Sequence, residues 1–313
     1  MTKIYSLAEI KQVTKPKEVI KVIEEGFILY AKGLAVVAPL SSLEIENRGV
    51  AKIKYGYIKG SDIYVMKIAS SFPGNAKHHL PTVMASMQIY DNTGQFLALL
   101  LDEAYLTNVR TAATSAVIAK HFSPKKINKI GIIGAGVQAR FQLDYLRWVT
   151  PCKDIMVWAR HLTAAQQFKC DMEKQYFHVE IAKKITDLTS QCNLIITVTS
   201  ATEPILWADQ VQPGTLIISV GSDTTDKHEI DSTLLKKANL IIADSKSQCR
   251  ELGNIKHALD NKIITEDSII ALGDVLEKKG HTLHEKDIII ANLTGVAVQD
   301  IQVATLIYQK LIA

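Results

Sequence analysis

The chain has 313 residues, 47% of them hydrophobic and 22% charged, with a formal net charge of +4. That length suits two domains or one large α/β unit with an ample core, and the composition is that of a globular chain rather than a disordered one. Basic and acidic residues are interspersed, no basic cluster is interleaved with aromatics, and no apolar run approaches a membrane span, so neither nucleic acid nor membrane is an expected partner. The four cysteines, Cys152, Cys170, Cys192 and Cys249, are far apart with no C-x-x-C. They read as reduced thiols of a cytoplasmic protein, and the first residues lack the apolar core of a signal peptide.

The first strong helix is predicted over Lys15 to Leu34. Val19, Ile20, Ile23, Phe27 and Ile28 share one face, and Gly33 is the stop signal. After Pro39 the period changes to two. Strands are expected over Val50 to Ile58, Asp62 to Ala69, Met84 to Tyr90 and Gln95 to Leu101, with Asp91-Asn-Thr-Gly94 as the last turn. These make an antiparallel region. A small-residue helix over Leu106 to His121 leads out of it.

The rhythm then becomes βαβ. The strand Ile130 to Ile133 runs into Gly134-Ala-Gly136-Val-Gln-Ala139, a G-x-G-x-x-A turn that opens a helical pattern through Phe141, Leu143 and Leu146. Gly134 permits the bend, Gly136 lets backbone N–H groups approach a pyrophosphate, and Ala139 keeps helix and strand close. Strands at Ile155 to Trp158, Val179 to Ile181, Leu194 to Val198, Leu216 to Val220 and Leu240 to Ala243 complete a parallel set. Helices are expected over Thr163 to Tyr176 and Ile185 to Ser190. Residues 245 to 283 read as helices and connectors, Asp287 to Leu293 as a strand and Val296 to Ile312 as a final helix. The expected fold is therefore α/β: a Rossmann-type doubly wound parallel sheet plus an α+β substrate-binding and dimerisation domain. Residues 1–117 with 295–313 form the latter, and 118–294 the dinucleotide-binding domain.

A nicotinamide enzyme needs a ribose reader, a substrate clamp and a proton carrier. The strand Ile155 to Trp158 ends at Ala159-Arg160-His161 with no carboxylate, and Asp154 stands at its other end. Arg160 suits the 2′-phosphate of NADP, so NADP(H) is favoured over NAD(H). Arg110 lies on a helix of small and apolar neighbours, where burial demands an anionic partner: a substrate, a phosphate or an internal salt bridge. Lys67, in the apolar run Tyr64-Val-Met-Lys-Ile-Ala69, reads by spacing either as a site lysine or as a solvated edge lysine. Asp223 follows the strand ending at Val220, where doubly wound sheets gather ligands; it is a site acid or a turn cap. His78-His79 read as loop residues, and Trp158 and Trp207 as core or rim packing.

Taken together, the chain resembles the ornithine cyclodeaminase/mu-crystallin family. The landmarks are Tyr64-Val-Met-Lys67, Leu80-Pro-Thr82, Asn92-Thr-Gly94 and Leu106-Thr-Asn-Val-Arg-Thr-Ala-Ala113. Also matching are Gly131 to Ala139, Gly221-Ser-Asp-Thr with Lys227 and Glu229, and Thr294-Gly-Val-Ala-Val-Gln-Asp300. The resemblance implies a homodimer and hydride transfer at the Cα–N bond of an α-amino or cyclic α-imino acid. Ornithine would give proline and ammonia, or a ketimine would be reduced. It implies that Lys67 and Arg110 hold the substrate carboxylate and that Asp223 is the acid/base group. Cofactor contacts fall to Gly134, Ala135, Gly136, Val137, Gln138 and Arg160, to Thr82 and Thr111, and to Thr199 and Val220 at strand ends. No metal is called for. The alternatives are an alanine or other amino-acid dehydrogenase of the same family, or a non-catalytic mu-crystallin-like binder of a small molecule and NADPH.

One departure bears on the substrate. The Pro-x-Arg of family members is replaced here by Ala38-Pro-Leu-Ser-Ser-Leu43. Arg48 or a lysine substitutes for the arginine, or the substrate differs from ornithine.

Overall fold

Two sheets organise the chain, one of mixed direction and one wholly parallel. The computed structural model describes residues 2–278 and 284–313; Met1 and the last five residues of the 245–283 stretch lie outside the described residues. Two units result, Met1–Ala113 with Val296–Ala313, and Thr114–Gly295.

The first unit opens with β1 (Lys3–Tyr5), α1 (Leu7–Val13) and α2 (Pro16–Ala31). Ser6 and Glu9 form a capping box: Glu9 accepts a 2.8 Å bond from the Ser6 N–H while the Ser6 hydroxyl accepts from the Glu9 N–H. Then follow β2 (Ala35–Val37), β3 (Ser41–Ile45), β4 (Gly49–Ile58), β5 (Ile63–Ser71), β6 (Val83–Asp91) and β7 (Phe96–Leu100). The sheet order is β1-β7-β6-β5-β4-β2, with β3 also paired to β4. β1 runs parallel to β7 and every other pair is antiparallel. Period two assigns the faces. Val65 and Lys67 of β5, and Ala85, Met87 and Ile89 of β6, are buried. The C-terminal helix, residues 297–312, packs with α2 and over β4 and β5 on this inner face. The opposite face is apolar yet open, with Tyr55, Tyr57, Ile68 and Met84 about two-fifths exposed.

The helix α3 (Tyr105–Phe122) carries the chain out of the first unit. In the second unit β8 (Ile130–Ile133), α4 (Val137–Leu146), β9 (Asp154–Trp158), α5 (Leu162–Glu173), β10 (His178–Ile181), α6 (Ile185–Thr189), β11 (Leu194–Thr197) and β12 (Leu216–Ser219) alternate. Next come α7 (Ser232–Lys237), β13 (Leu240–Ala243), α8 (Lys246–Glu251), α9 (Gly253–Asp260), β14 (Ile269–Ala271), α10 (Leu272–Lys278) and β15 (Ile289–Asn292). α11 (Ala297–Ile312) returns the chain to the first unit. All strands of this sheet are parallel, in the order β10-β9-β8-β11-β12-β15-β13-β14. Strands such as Ile-Gly-Ile-Ile and Leu-Ile-Ile-Ser are buried at every position, as a sheet covered on both faces requires. The chain reverses its direction of winding between β8 and β11. The crevice beyond those two carboxyl ends is where such sheets bind ligands.

Candidate functional site

In the second unit the glycine turn stands at the carboxyl end of β8. Gly134 has φ +115°, and a Cβ there would lie 2.7 Å from the Val198 carbonyl oxygen, so only glycine fits. Its N–H donates to the Trp158 carbonyl at 2.8 Å, tying β8 to β9. Gly136 is the opposite case: a Cβ would meet nothing within 4 Å. It caps α4 without any side-chain hydrogen bond. The positive end of the helix dipole at this turn favours an anionic ligand. Val137 is exposed and Ala135 and Gln138 half-buried. These residues fit a dinucleotide pyrophosphate. Arg140 braces the turn from behind, donating to the carbonyls of Ala135 (2.8 Å) and Gly136 (3.0 Å) and pairing with Asp171 at 2.6 Å. Arg160 is exposed just beyond β9, whereas Asp154 begins that strand.

Glu229 builds the neighbouring part of the crevice. Its buried carboxylate accepts from the Thr199 N–H (2.6 Å) and hydroxyl (2.8 Å), the Thr197 hydroxyl (2.8 Å), the Ser219 hydroxyl (2.9 Å) and the Gly221 N–H (2.9 Å). Burial pushes its carboxyl upward against the pull of these bonds. The network fixes the ends of β11 and β12 together, and with them Thr199 and Val220. Asn254 of α9 accepts from the Ser222 hydroxyl (2.9 Å) and the backbone N–H groups of Glu229 (2.8 Å) and Ile230 (3.0 Å). Asp223, next in the loop after Ser222, is half-buried and ion-paired with Lys227 at 2.6 Å.

The first unit holds a cluster of buried charges on the inner face of its sheet. Lys67 is 1% exposed and lies on a central strand, which removes the edge-lysine alternative. Its Nζ donates to Asp300 at 2.8 Å and to the Thr107 hydroxyl at 3.2 Å. Arg110, one turn along α3 from Thr107, places Nε 3.4 Å from the same Asp300 oxygen and donates to Gln299. The salt bridge weighed for Arg110 therefore exists, and it brings Arg110 and Lys67 together. Burial would raise the Asp300 carboxyl, but Lys67, Arg110 and Lys54 outweigh it and hold the group below the usual carboxylate range. Lys67 is driven down by burial despite Asp300. Asp102, fully buried, accepts from the Leu106 N–H at 2.9 Å as α3 begins, and burial pushes its carboxyl up to about 6.

Lys54 completes the cluster. It sits directly across the strand pair from Lys67, on the same face. Burial first, then the charges of Arg110 and Lys67, pull its ammonium down to about 7. The signal was the alternation Lys52-x-Lys54 in β4. Arg48, by contrast, is on the β3–β4 turn with its side chain 77% exposed, 3.8 Å from Glu46. It does not join the cluster. Thr111 donates back to the Thr107 carbonyl at 2.8 Å, and Thr82 is exposed where β6 begins. His78 and His79 are exposed at the end of a short 3-10 turn. Asp300, Gln299, Lys54, Asp102 and Asn254 are the site residues that sequence reasoning left without a role.

Comparison with known proteins places this architecture. Residues 1–313 match the ornithine cyclodeaminase/mu-crystallin family. An uncharacterized cyclodeaminase of Sinorhizobium fredii is 36% identical over an alignment covering 98% of this chain and 95% of the relative. An archaeal alanine dehydrogenase dimer with bound NAD superposes with a TM-score of 0.93 at 30% identity, covering 99% of this chain and 96% of that one. The Δ1-pyrroline-2-carboxylate reductase of Thermococcus litoralis, in complex with NADH and L-proline, gives 0.93 at 29% identity, with 99% and 97% covered.

Proposed function

The chain belongs to the ornithine cyclodeaminase/mu-crystallin family, and we propose that it is an NAD(P)-dependent enzyme acting at the Cα–N bond of an α-amino or α-imino acid. The observation that carries this reading is the buried Lys67–Arg110 pair sharing one carboxylate oxygen of Asp300. Two cations so placed in an apolar interior suit a carboxylate ligand, and the fork of Arg110 can grip it in a fixed orientation. Bound at the glycine turn, the nicotinamide cofactor supplies or takes up the hydride. Lys67 and Arg110 orient the substrate carboxylate and so aim Cα, and fixed geometry of this kind can lower a barrier by several kcal/mol. Asp223 carries the proton to or from the substrate nitrogen, with Lys227 holding its carboxylate. With a diamino acid, the distal amine would close a ring and expel ammonia. With an imine, the reaction ends at the amine.

The resemblance to an alanine dehydrogenase supports a second reading, net deamination of a small amino acid. Arg160 supports NADP(H) as the better cofactor, since the carboxyl end of β9 beside it carries no carboxylate for a ribose 2′-hydroxyl. The protein acts as a homodimer. A panel of ornithine, lysine, alanine and pyrroline- and piperideine-carboxylates, each with both cofactors, tests the function. Turnover of one of them is expected; binding of cofactor with no turnover of any would leave a carrier instead of an enzyme. Fluorescence titration tests the cofactor. NADPH should bind more tightly than NADH, and Arg160→Ala should remove the difference.

A further inference from the structure

We propose that Asn254 is a positioning residue: it holds the loop that carries Asp223, and so sets where that carboxylate meets the substrate nitrogen. The inference rests on the reading of Asp223 as the proton carrier. The loop runs from Gly221 to Ile230 beyond the carboxyl end of β12, and α9 meets it with its first residues. Gly253 has φ +69°, and a Cβ there would lie 2.3 Å from the Ser222 carbonyl oxygen, so glycine alone permits the approach. Its N–H donates to the Thr224 carbonyl at 3.0 Å. Asn254 follows, fully buried, and its Oδ1 accepts from the Ser222 hydroxyl at 2.9 Å. Asp223 is thus flanked by two residues hydrogen-bonded to successive positions of one helix.

The amide of Asn254 suits this place. Oδ1 also accepts from the N–H groups of Glu229 (2.8 Å) and Ile230 (3.0 Å), while Nδ2 donates to the Ser219 hydroxyl and to Asn292 Oδ1, both at 2.8 Å. Two of the groups on Oδ1 are backbone donors, which fixes the sense of the amide. One side chain therefore joins both ends of the Asp223 loop to the ends of β12 and β15. An aspartate could not donate to Ser219 and Asn292, and an apolar residue would leave all these partners without their bond to residue 254. One turn further along α9, His257 stacks on His228 of the loop, with ring centroids 4.2 Å apart and planes 9° from parallel. The Asp223 side chain stays 44% exposed. Its backbone is held while its carboxylate remains accessible, the combination a proton carrier needs.

The test uses the full-length chain, both cofactors, and ornithine, lysine, alanine and the pyrroline- and piperideine-carboxylates. Asn254→Ala and the milder Ser222→Ala, which leaves Asn254 its two backbone donors, are compared with the unaltered protein and with Asp223→Asn. Binding of NADPH and NADH, read by fluorescence, should be retained in both. In Asn254→Ala kcat should fall about 10- to 100-fold, the scale of a displacement of about 1 Å at a reacting group; Ser222→Ala should lose less. The solvent deuterium isotope effect on kcat should grow in both, because proton transfer is the step made slower. Added to Asp223→Asn, either change should cost less than about twofold more, since a residue that acts through another has nothing left to lose. If Asn254→Ala does not fold, Ser222→Ala and its pairing with Asp223→Asn decide the matter. A full further loss in the Asp223→Asn background, or a loss confined to KM or to cofactor affinity, overturns the positioning role while Asp223 keeps its own. Undiminished kcat in both single variants overturns it as well. Undiminished turnover in Asp223→Asn, or no turnover of any of these acids by the unaltered chain, overturns the reading of Asp223 and this inference with it.

Discussion

Asp223 is the acid of the proposed machinery whose carboxylate is not fully buried. It pairs with Lys227 at 2.6 Å, and its side chain stays 44% exposed on its loop. A proton carrier needs that access. Asp223→Asn should keep cofactor binding, measured by fluorescence, while turnover falls by about 100- to 10,000-fold, the usual worth of general acid–base catalysis; undiminished turnover would exclude the role. Asp102 makes a different prediction, in stability. Its carboxyl is raised to about 6 by burial, so the folded chain binds a proton between pH 4 and 6 that the unfolded chain releases. This group therefore favours folding most at low pH, and its contribution declines as pH rises through about 6. The decline amounts to roughly 3 kcal/mol at most, about 1.4 kcal/mol for each unit of pKa displacement. Denaturant melts of the wild type and Asp102→Asn should converge near pH 4. They should diverge towards pH 7, with the asparagine variant, which retains an acceptor for the Leu106 N–H, the more stable there.

At the scale of elements, the end of α4 gives the sharpest separation of binding from folding. Gly136 has an extended backbone and open space around its missing Cβ, so Gly136→Val should leave the melting temperature in place. The valine would stand where the diphosphate approaches the helix, and cofactor affinity should fall more than about tenfold, or ~1.4 kcal/mol. Affinity that survived this change would move the cofactor elsewhere. Gly221 behaves otherwise: a Cβ would lie 2.2 Å from the Thr199 carbonyl oxygen and 2.5 Å from the Glu229 carboxylate. The parallel strands were legible because burial on both faces writes uninterrupted runs such as Leu194-Ile-Ile-Thr197, and most observed bounds fall within two residues of expectation. The strands that went unread are short: β1, β2, β3 and β14 have three to five residues. Strands of that length have too few residues to declare a period, and they exist through pairing with distant partners. α1 went unread as well: it opens on a Ser6–Glu9 box but has only one fully buried residue, Ile10, to mark a face. The charge cluster was half legible. Lys67 and Arg110 stand out as charges in apolar runs, whereas Lys54 acquires its place only when β4 pairs with β5 in register.

For the whole molecule, the unresolved demand is the outer face of the first sheet. Tyr57, Tyr64, Tyr90 and Phe96 follow one another across four strands in register. Tyr64 stacks on Tyr90 with ring centroids 5.0 Å apart. One row further in, Tyr55 pairs with Met66 and Ile53 with Ile68. A contiguous apolar patch of this breadth is uncommon on a monomer and marks an interface. An interface of ordinary size needs about 800 Å² from each partner, and a sheet face of several strands supplies that scale. A second copy of the same chain is the occupant the archaeal alanine dehydrogenase dimer suggests, and a two-fold arrangement lets one apolar face cover its own image. Ile68→Glu should therefore give a chain that sediments as one copy where the wild type sediments as two. Because Ile68 points away from the Lys67 face, a carboxylate there would not touch the charge cluster directly. Circular dichroism should remain that of the folded wild type. A folded Ile68→Glu variant that still ran as a dimer, together with Tyr57→Glu behaving likewise, would place the subunit contact on another surface.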